Sequence, residues 1–144
     1  MLFRSGALIL ASEKAVKTFG LKPLARFVGF SVRGVPPEIM GIGPIEAIPA
    51  VLKGAGLTLN DLGWVELNEA FAAQALAVMD TVGLDPAIVN PMGGAIALGH
   101  PLGMSGARIL GSAALELQLQ KKKYAMVTMC IGVGQGFAVV IERN

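Results

Sequence analysis

From Tyr124 to Ile141 the chain carries no charged residue in 18 positions, and this stretch limits what the chain can become. A run of that kind crosses a bilayer as a helix or lies inside a protein as buried strands. Gly132, Gly134, Gln135 and Gly136 interrupt it, and its two flanks are rich in Val, Ile, Phe and Tyr. Two buried strands joined at a glycine-rich turn fit these residues better than a span does. A second uncharged stretch, residues 86–107, holds Pro86, Asn90, Pro91, His100 and Pro101, which rule out a continuous spanning helix. Near the N-terminus a short apolar run, residues 7–10, follows Arg4 without a cleavage-site pattern. Neither a membrane span nor a signal peptide is expected.

The scarcity of charge extends over all 144 residues: the hydrophobic set makes up 53% and charged residues 15%, against about 25% charged in ordinary soluble domains. A domain of this size exposes much of its surface, so the chain is expected to press apolar faces against another domain or subunit. The formal net charge is +2, and the one basic cluster, Lys121-Lys122-Lys123, falls at a helix C-terminus, where the helix dipole favours cations. No nucleic-acid partner is expected. Cys130 is the only cysteine and His100 the only histidine. That excludes an internal disulfide and a structural zinc site, so no metal is expected. A lone cysteine also suggests a reducing compartment, here taken as the cytoplasm.

The order of signals predicts strands alternating with helices. Residues 7–10 read as a strand, Ser12 as an N-cap, and Glu13–Phe19 as a helix closed by Gly20. A strand with imperfect alternation covers residues 24–32. A helix is expected between Pro44 and Lys53, beginning or kinking at Pro49. Trp64 to Leu67 reads as a strand, after which Asn68 caps a helix of residues 69–82 that is apolar on nearly every side, as if buried between layers. A glycine-rich loop leads to His100 as the N-cap of a long helix ending near Gln120, with Ser105, Arg108, Ser112 and Glu116 in one polar stripe. Residues 124–131 and 137–141 are the last strands. The pattern indicates an α/β layered domain with one mixed, five-stranded sheet and helices on both faces, with a boundary near Leu21.

Ligands gather at the carboxyl ends of strands and the amino ends of helices in such sheets. Asn68, Cys130 and His100 all fall at such places. A neutral imidazole can accept a proton from a thiol, and the backbone N–H groups around Gly132, Gly134 and Gly136 can stabilise an oxyanion. Each residue also has a plain reading: Asn68 as a helix cap, Cys130 as a small hydrophobe, the glycines as a tight turn.

Asn68-Glu69-Ala70-Phe71-Ala72, the run from Gly93 through Gly99-His100-Pro101 to Arg108, and Cys130-Ile131-Gly132-Val133-Gly134-Gln135-Gly136 resemble the three C-terminal signatures of the thiolases. The resemblance covers residues 22–144 as that family's C-terminal domain, with residues 1–21 as the closing strand and helix of its preceding domain. It implies half of a two-domain α/β/α/β/α enzyme. The implied reaction is acyl transfer between coenzyme A thioesters, with 3-oxoacyl-CoA cleaved in the degradative direction of fatty acid β-oxidation. No cofactor is implied beyond these CoA substrates. His100 would match the histidine that takes the nucleophilic thiol's proton, and Asn68 the asparagine that holds a water in the first oxyanion hole. Cys130 would match the acid/base cysteine, Gly132 would give an N–H to the second oxyanion hole, and Phe71 would line the pantetheine region. The implied partners are the N-terminal thiolase domain and further copies in a dimer or tetramer.

The departure from the family is an absence. With Cys130 the sole cysteine, the acyl-carrying nucleophile and the coenzyme A loop are expected to lie outside this sequence, and the chain alone is expected to be inactive. Met104 is bulkier than the small residue common at its position, which bears on acyl preference. Other readings share parts of this pattern. An acetoacetyl-CoA-forming acetyltransferase or a synthase relative shares the chemistry, and a non-catalytic thiolase-like subunit shares the missing nucleophile. A dinucleotide-binding module would need a helix after Gly136, where the sequence places a strand.

Overall fold

A computed structural model describes residues 5–144; Met1–Arg4, at the start of the 1–21 segment, lie outside the described residues. Four strands form one mixed sheet in the order β1-β4-β3-β2: β1 is Ala25–Gly34, β2 Leu62–Leu67, β3 Tyr124–Ile131 and β4 Gln135–Arg143. The uncharged C-terminal stretch is the β3–β4 hairpin at the centre of the sheet, and β2 pairs with β3 in parallel. Five of the six residues of β2 are buried, as a parallel strand covered on both faces requires. Pairing of β1 with β4 is displaced between Phe27 and Gly29. This bulge at Val28 accounts for the imperfect alternation of the sequence there.

Helices α2 (Gly43–Ala55) and α3 (Ala72–Val82) cover one face, where Ile48, Val51, Leu52 and Val78 pack on Val65, Leu67, Met126 and Val140. On the other face α5 (Leu102–Leu119) buries Ile109, Ala113 and Leu117 against Trp64, Ala125, Val127 and Val139. The mixed sheet with helices on both faces is therefore as expected, with four strands among the described residues instead of five. Residues 7–10 form no strand. That segment lies along α5, with Leu8 beside Gly111 and Gly6 beside Ala107, so its backbone has no ladder to join. Beside β2, where a fifth strand could stand, one isolated parallel bridge joins Val65 to Val89.

Three helix boundaries depart from the sequence reading. Helix α2 runs through Pro49 without a break. Pro49 is exposed, so the backbone bond it forfeits lies on the solvent side, where water replaces it. Helix α3 starts at Ala72 with Phe71 as its N-cap, leaving residues 68–70 as a loop. Helix α5 has Pro101, not His100, as its N-cap, and the Pro101 carbonyl takes the first helical bonds from Met104 and Ser105. By contrast α1 (Glu13–Phe19) is capped as read: the Ser12 hydroxyl accepts from the Ala15 N–H and Gly20 closes it in the left-handed conformation.

The expected apolar surface is present. Among large hydrophobic residues, Phe27, Phe30, Phe71, Leu76, Ile96, Leu102 and Val133 are all more than half exposed. Helix α3 buries Gln74, Ala75 and Val78 but turns Leu76 outward, so one of its sides lacks the cover its composition called for.

The hairpin is seated by backbone-to-backbone contact. A Cβ on Gly136 would fall on the Gly43 carbonyl, and one on Gly43 would fall on the Gln135–Gly136 peptide. The substitution Gly136→Ala is accordingly expected to cost about 1–3 kcal/mol or more by overpacking. Urea unfolding followed by the single tryptophan, Trp64, measures this.

Candidate active site

The parallel register carries β2 and β3 to a common rim. The Asn68 N–H donates to the Thr128 carbonyl at 2.9 Å, so Asn68 leaves β2 beside the end of β3, where Cys130 lies. Freed from capping, the Asn68 side chain meets His100: its Nδ2 lies 3.3 Å from His100 Nε2. Pro101 restricts His100 to extended backbone, and this turns the ring toward the first turn of α5. There His100 Nδ1 lies 2.6 Å from Ser105 Oγ, which itself donates to the Pro101 carbonyl at 3.2 Å. In the tautomer that carries its hydrogen on Nδ1, the ring donates to Ser105 Oγ and Nε2 accepts from the Asn68 amide. The Asn68 amide oxygen is buried with no partner among the described residues, an acceptor available to a water or a reacting group.

Cys130 is 9% exposed, and burial pushes its thiol above the ordinary value. It faces Gly136 across the hairpin. Among the described residues no hydrogen bond joins the thiol to the Asn68–His100 pair, so the rim holds two separate groups. The three turn glycines divide by role. Gly134 has φ +88, its carbonyl accepts from the Val35 N–H at 2.8 Å, and a Cβ there would fall on the Val35 carbonyl. Gly136 is held by Gly43. Of these three glycines only Gly132 is exposed with open space where a Cβ would stand. Between them Val133 takes φ 68, a strained conformation for a β-branched residue. Phe71 stands exposed at the start of α3, on the loop that follows Asn68.

Two features were not singled out as site residues from the sequence. Ser105 belonged only to the polar stripe of α5; its tie to His100 follows from the i to i+5 turn through Pro101. Glu66, two residues before Asn68 on β2, is 2% exposed and accepts from Trp64 Nε1 at 2.8 Å. Burial is the main reason its carboxyl is pushed up, outweighing the opposing help from the Trp64 hydrogen bond and from Arg108. The polar stripe is therefore half-buried, and Arg108 acts on Glu66 by its charge alone, its Nε and Nη2 being buried with no hydrogen-bond partner among the described residues. Met104 lies against Gly6 of the N-terminal segment. Among the described residues no group of three or more His, Cys, Asp or Glu could hold a metal, and no helix is long and apolar enough to cross a membrane.

Glu66 makes stability pH-dependent with a definite sign. The folded chain holds this proton more tightly than the unfolded chain, whose carboxyl titrates near 4.5. The contribution of Glu66 to stability is therefore fully present below that value and is lost as pH rises through the raised folded value. Glu66→Gln keeps an acceptor for Trp64 and removes the buried charge. Its stability relative to wild type is expected to grow across this interval; urea midpoints measured from pH 4 to pH 8 check it.

Comparison with known proteins identifies the family of this fold. The family model described as "Thiolase, C-terminal domain" matches residues 21–143. The chain is 55% identical over 141 residues to the 3-oxoadipyl-CoA/3-oxo-5,6-dehydrosuberyl-CoA thiolase of Escherichia coli (strain K12), covering 96% of this chain and 35% of that protein. It is 55% identical over 140 residues to the mitochondrial 3-ketoacyl-CoA thiolase of Homo sapiens, covering 97% of this chain and 35% of that one. The crystal structure of the human mitochondrial enzyme in complex with CoA superposes with a TM-score of 0.91 at 54% identity, covering 93% of this chain and 34% of that one. A Bacillus anthracis acetyl-CoA acetyltransferase superposes at 0.90 with 47% identity, covering 92% and 34%. The chain thus spans about a third of the length of the curated relatives it matches. It belongs to the thiolase family, as a C-terminal domain of that family.

Proposed function

We propose that this chain supplies the proton-handling half of a thiolase that transfers acyl groups between coenzyme A thioesters, in the direction that cleaves a 3-oxoacyl-CoA. The observation that carries this reading is the Asn68–His100–Ser105 chain, which brings the imidazole Nε2 to the rim that Cys130 shares. Two relatives at 55% identity are named for 3-oxoacyl-type CoA thioesters, whereas the acetyl-CoA acetyltransferase stands at 47%; this favours the longer 3-oxoacyl class and a place in fatty acid breakdown. The domain division at residue 21, a dimer or tetramer, and a reducing compartment belong to the same reading.

In this mechanism a cysteine from the family's N-terminal domain, which this sequence does not contain, is the nucleophile. His100 Nε2 takes its proton, and the resulting thiolate attacks the 3-oxo carbon. Asn68, through its buried amide oxygen, holds a water that donates to the oxyanion on that carbon. The C2–C3 bond then breaks, leaving the acyl group on the sulfur and the electron pair on the α-carbon of acetyl-CoA. Cys130, held protonated by its burial, gives its proton to that carbon. The N–H of Gly132 stabilises the enolate oxygen, and Phe71 presents an apolar surface to the pantetheine arm. Coenzyme A itself is a substrate here, and no resident cofactor is required.

Acetoacetyl-CoA thiolysis tests the reading. The 144-residue chain alone is expected to show none, and co-expression with an N-terminal thiolase half bearing a cysteine is expected to restore it. In the restored enzyme Cys130→Ala should lower the rate about 10²–10⁴-fold. Turnover by the chain alone, or near-normal turnover by Cys130→Ala, contradicts the assignment.

A further inference from the structure

Four side-chain hydrogen bonds tie the end of β2 and the loop that follows it to the segment that leads to His100. Asn90, in the left-handed conformation (φ 46) that asparagine tolerates, extends along the free edge of β2. Its Oδ1 accepts from the Leu67 N–H at 2.9 Å and its Nδ2 donates to the Leu67 carbonyl at 2.7 Å. The same Nδ2 donates to Glu69 Oε1 at 3.1 Å, and Glu69 Oε2 accepts from the Ile96 N–H at 3.0 Å. Gly94 has no side chain because the Glu69 carboxylate occupies the place a Cβ would take. Both carboxylate oxygens of Glu69 are thus used on the segment 90–96, and its neighbour in sequence is Asn68. Helix α4 (Ala95–Leu98) then leads through Gly99 directly into His100.

We propose that Glu69, with Asn90, is a positioning residue: it clamps the 90–98 segment to the end of β2 and so holds His100 Nε2 at bonding distance from Asn68. The clamp is needed because the pair spans 32 residues of sequence and the intervening loop has only a four-residue helix of its own. Its importance for turnover rests on the function proposed above, whereas its existence does not.

The test uses the chain paired with an N-terminal thiolase half, and variants Glu69→Ala and Glu69→Gln. Because His100 is the only histidine of this chain, labelling this chain alone gives one imidazole signal by NMR. Glu69→Ala removes both acceptors and is expected to shift or double that signal and to speed hydrogen exchange of the Ile96 amide about tenfold or more. Turnover should fall about 10²-fold, the cost of misplacing a reacting group by about an ångström, with KM little changed. Glu69→Gln keeps one acceptor and should fall between. If Glu69→Ala does not fold, as judged by Trp64 fluorescence, Glu69→Gln is read by the same criteria. An imidazole signal and an Ile96 exchange rate identical to wild type overturn the clamp, whatever the turnover. A shifted signal with faster exchange upholds it, and unchanged kcat in that case instead overturns the assignment of proton transfer to His100.

Discussion

The parallel pairing of β2 with β3 decides where everything else can be. Two parallel strands end at the same rim, and the bond from the Asn68 N–H to the Thr128 carbonyl locks their ends in register. Because β2 is buried on both faces, a slip by one residue would turn Val65 and Leu67 out of one core and Trp64 out of the other. The register is therefore as stable as the two cores together. Asn68, the turn with Gly132, and the start of α5 inherit their places from it.

On this frame the polar groups are few and closely specified. His100 is held on one side by Ser105 and faces Asn68 on the other, so both ring nitrogens have a partner and the orientation of the ring is set. The turn beyond Cys130 shows the same economy: Gly134 and Gly136 are required by backbone contacts with Val35 and Gly43, whereas the place of a Cβ on Gly132 is open. Around this rim stand Phe71, Ile96, Leu102 and Val133, each well exposed. An apolar rim around these polar groups suits a surface that another domain or subunit covers. Phe27, Phe30 and Phe137 add an aromatic row along β1 and β4, with ring centroids 6.2 Å apart.

Much of this was legible in the sequence, for physical reasons. The uncharged stretch with its glycines could form little other than a buried hairpin, and the polar stripe of Ser105, Arg108, Ser112 and Glu116 marks α5 as a helix. The errors lie where long-range contacts overrule local preference. Asn68 looks like a helix cap because asparagine is a good one, yet the side chain of Glu69 is drawn to Asn90 and Ile96, more than 20 residues away, and the helix starts late. Pro49 looks like a helix break, and its exposure makes the lost bond cheap. Residues 7–10 have the composition of a strand but no strand beside them. The Ser105–His100 bond was hidden for a different reason: it depends on the turn at Pro101, and no periodicity encodes that turn.

The central claim is that one rim gathers the imidazole, the amide and the thiol around a sulfur supplied by a second domain. A crystal structure of this chain assembled with an N-terminal thiolase half and acetyl-CoA tests it most directly. The account predicts His100 Nε2 and Cys130 Sγ each about 3–3.5 Å from the group it serves, the incoming cysteine sulfur and the acetyl α-carbon respectively, with the Gly132 N–H directed at the thioester oxygen. A structure in which the cysteine sulfur enters away from this rim, leaving His100 or Cys130 out of reach of it and of the acetyl group, would contradict it.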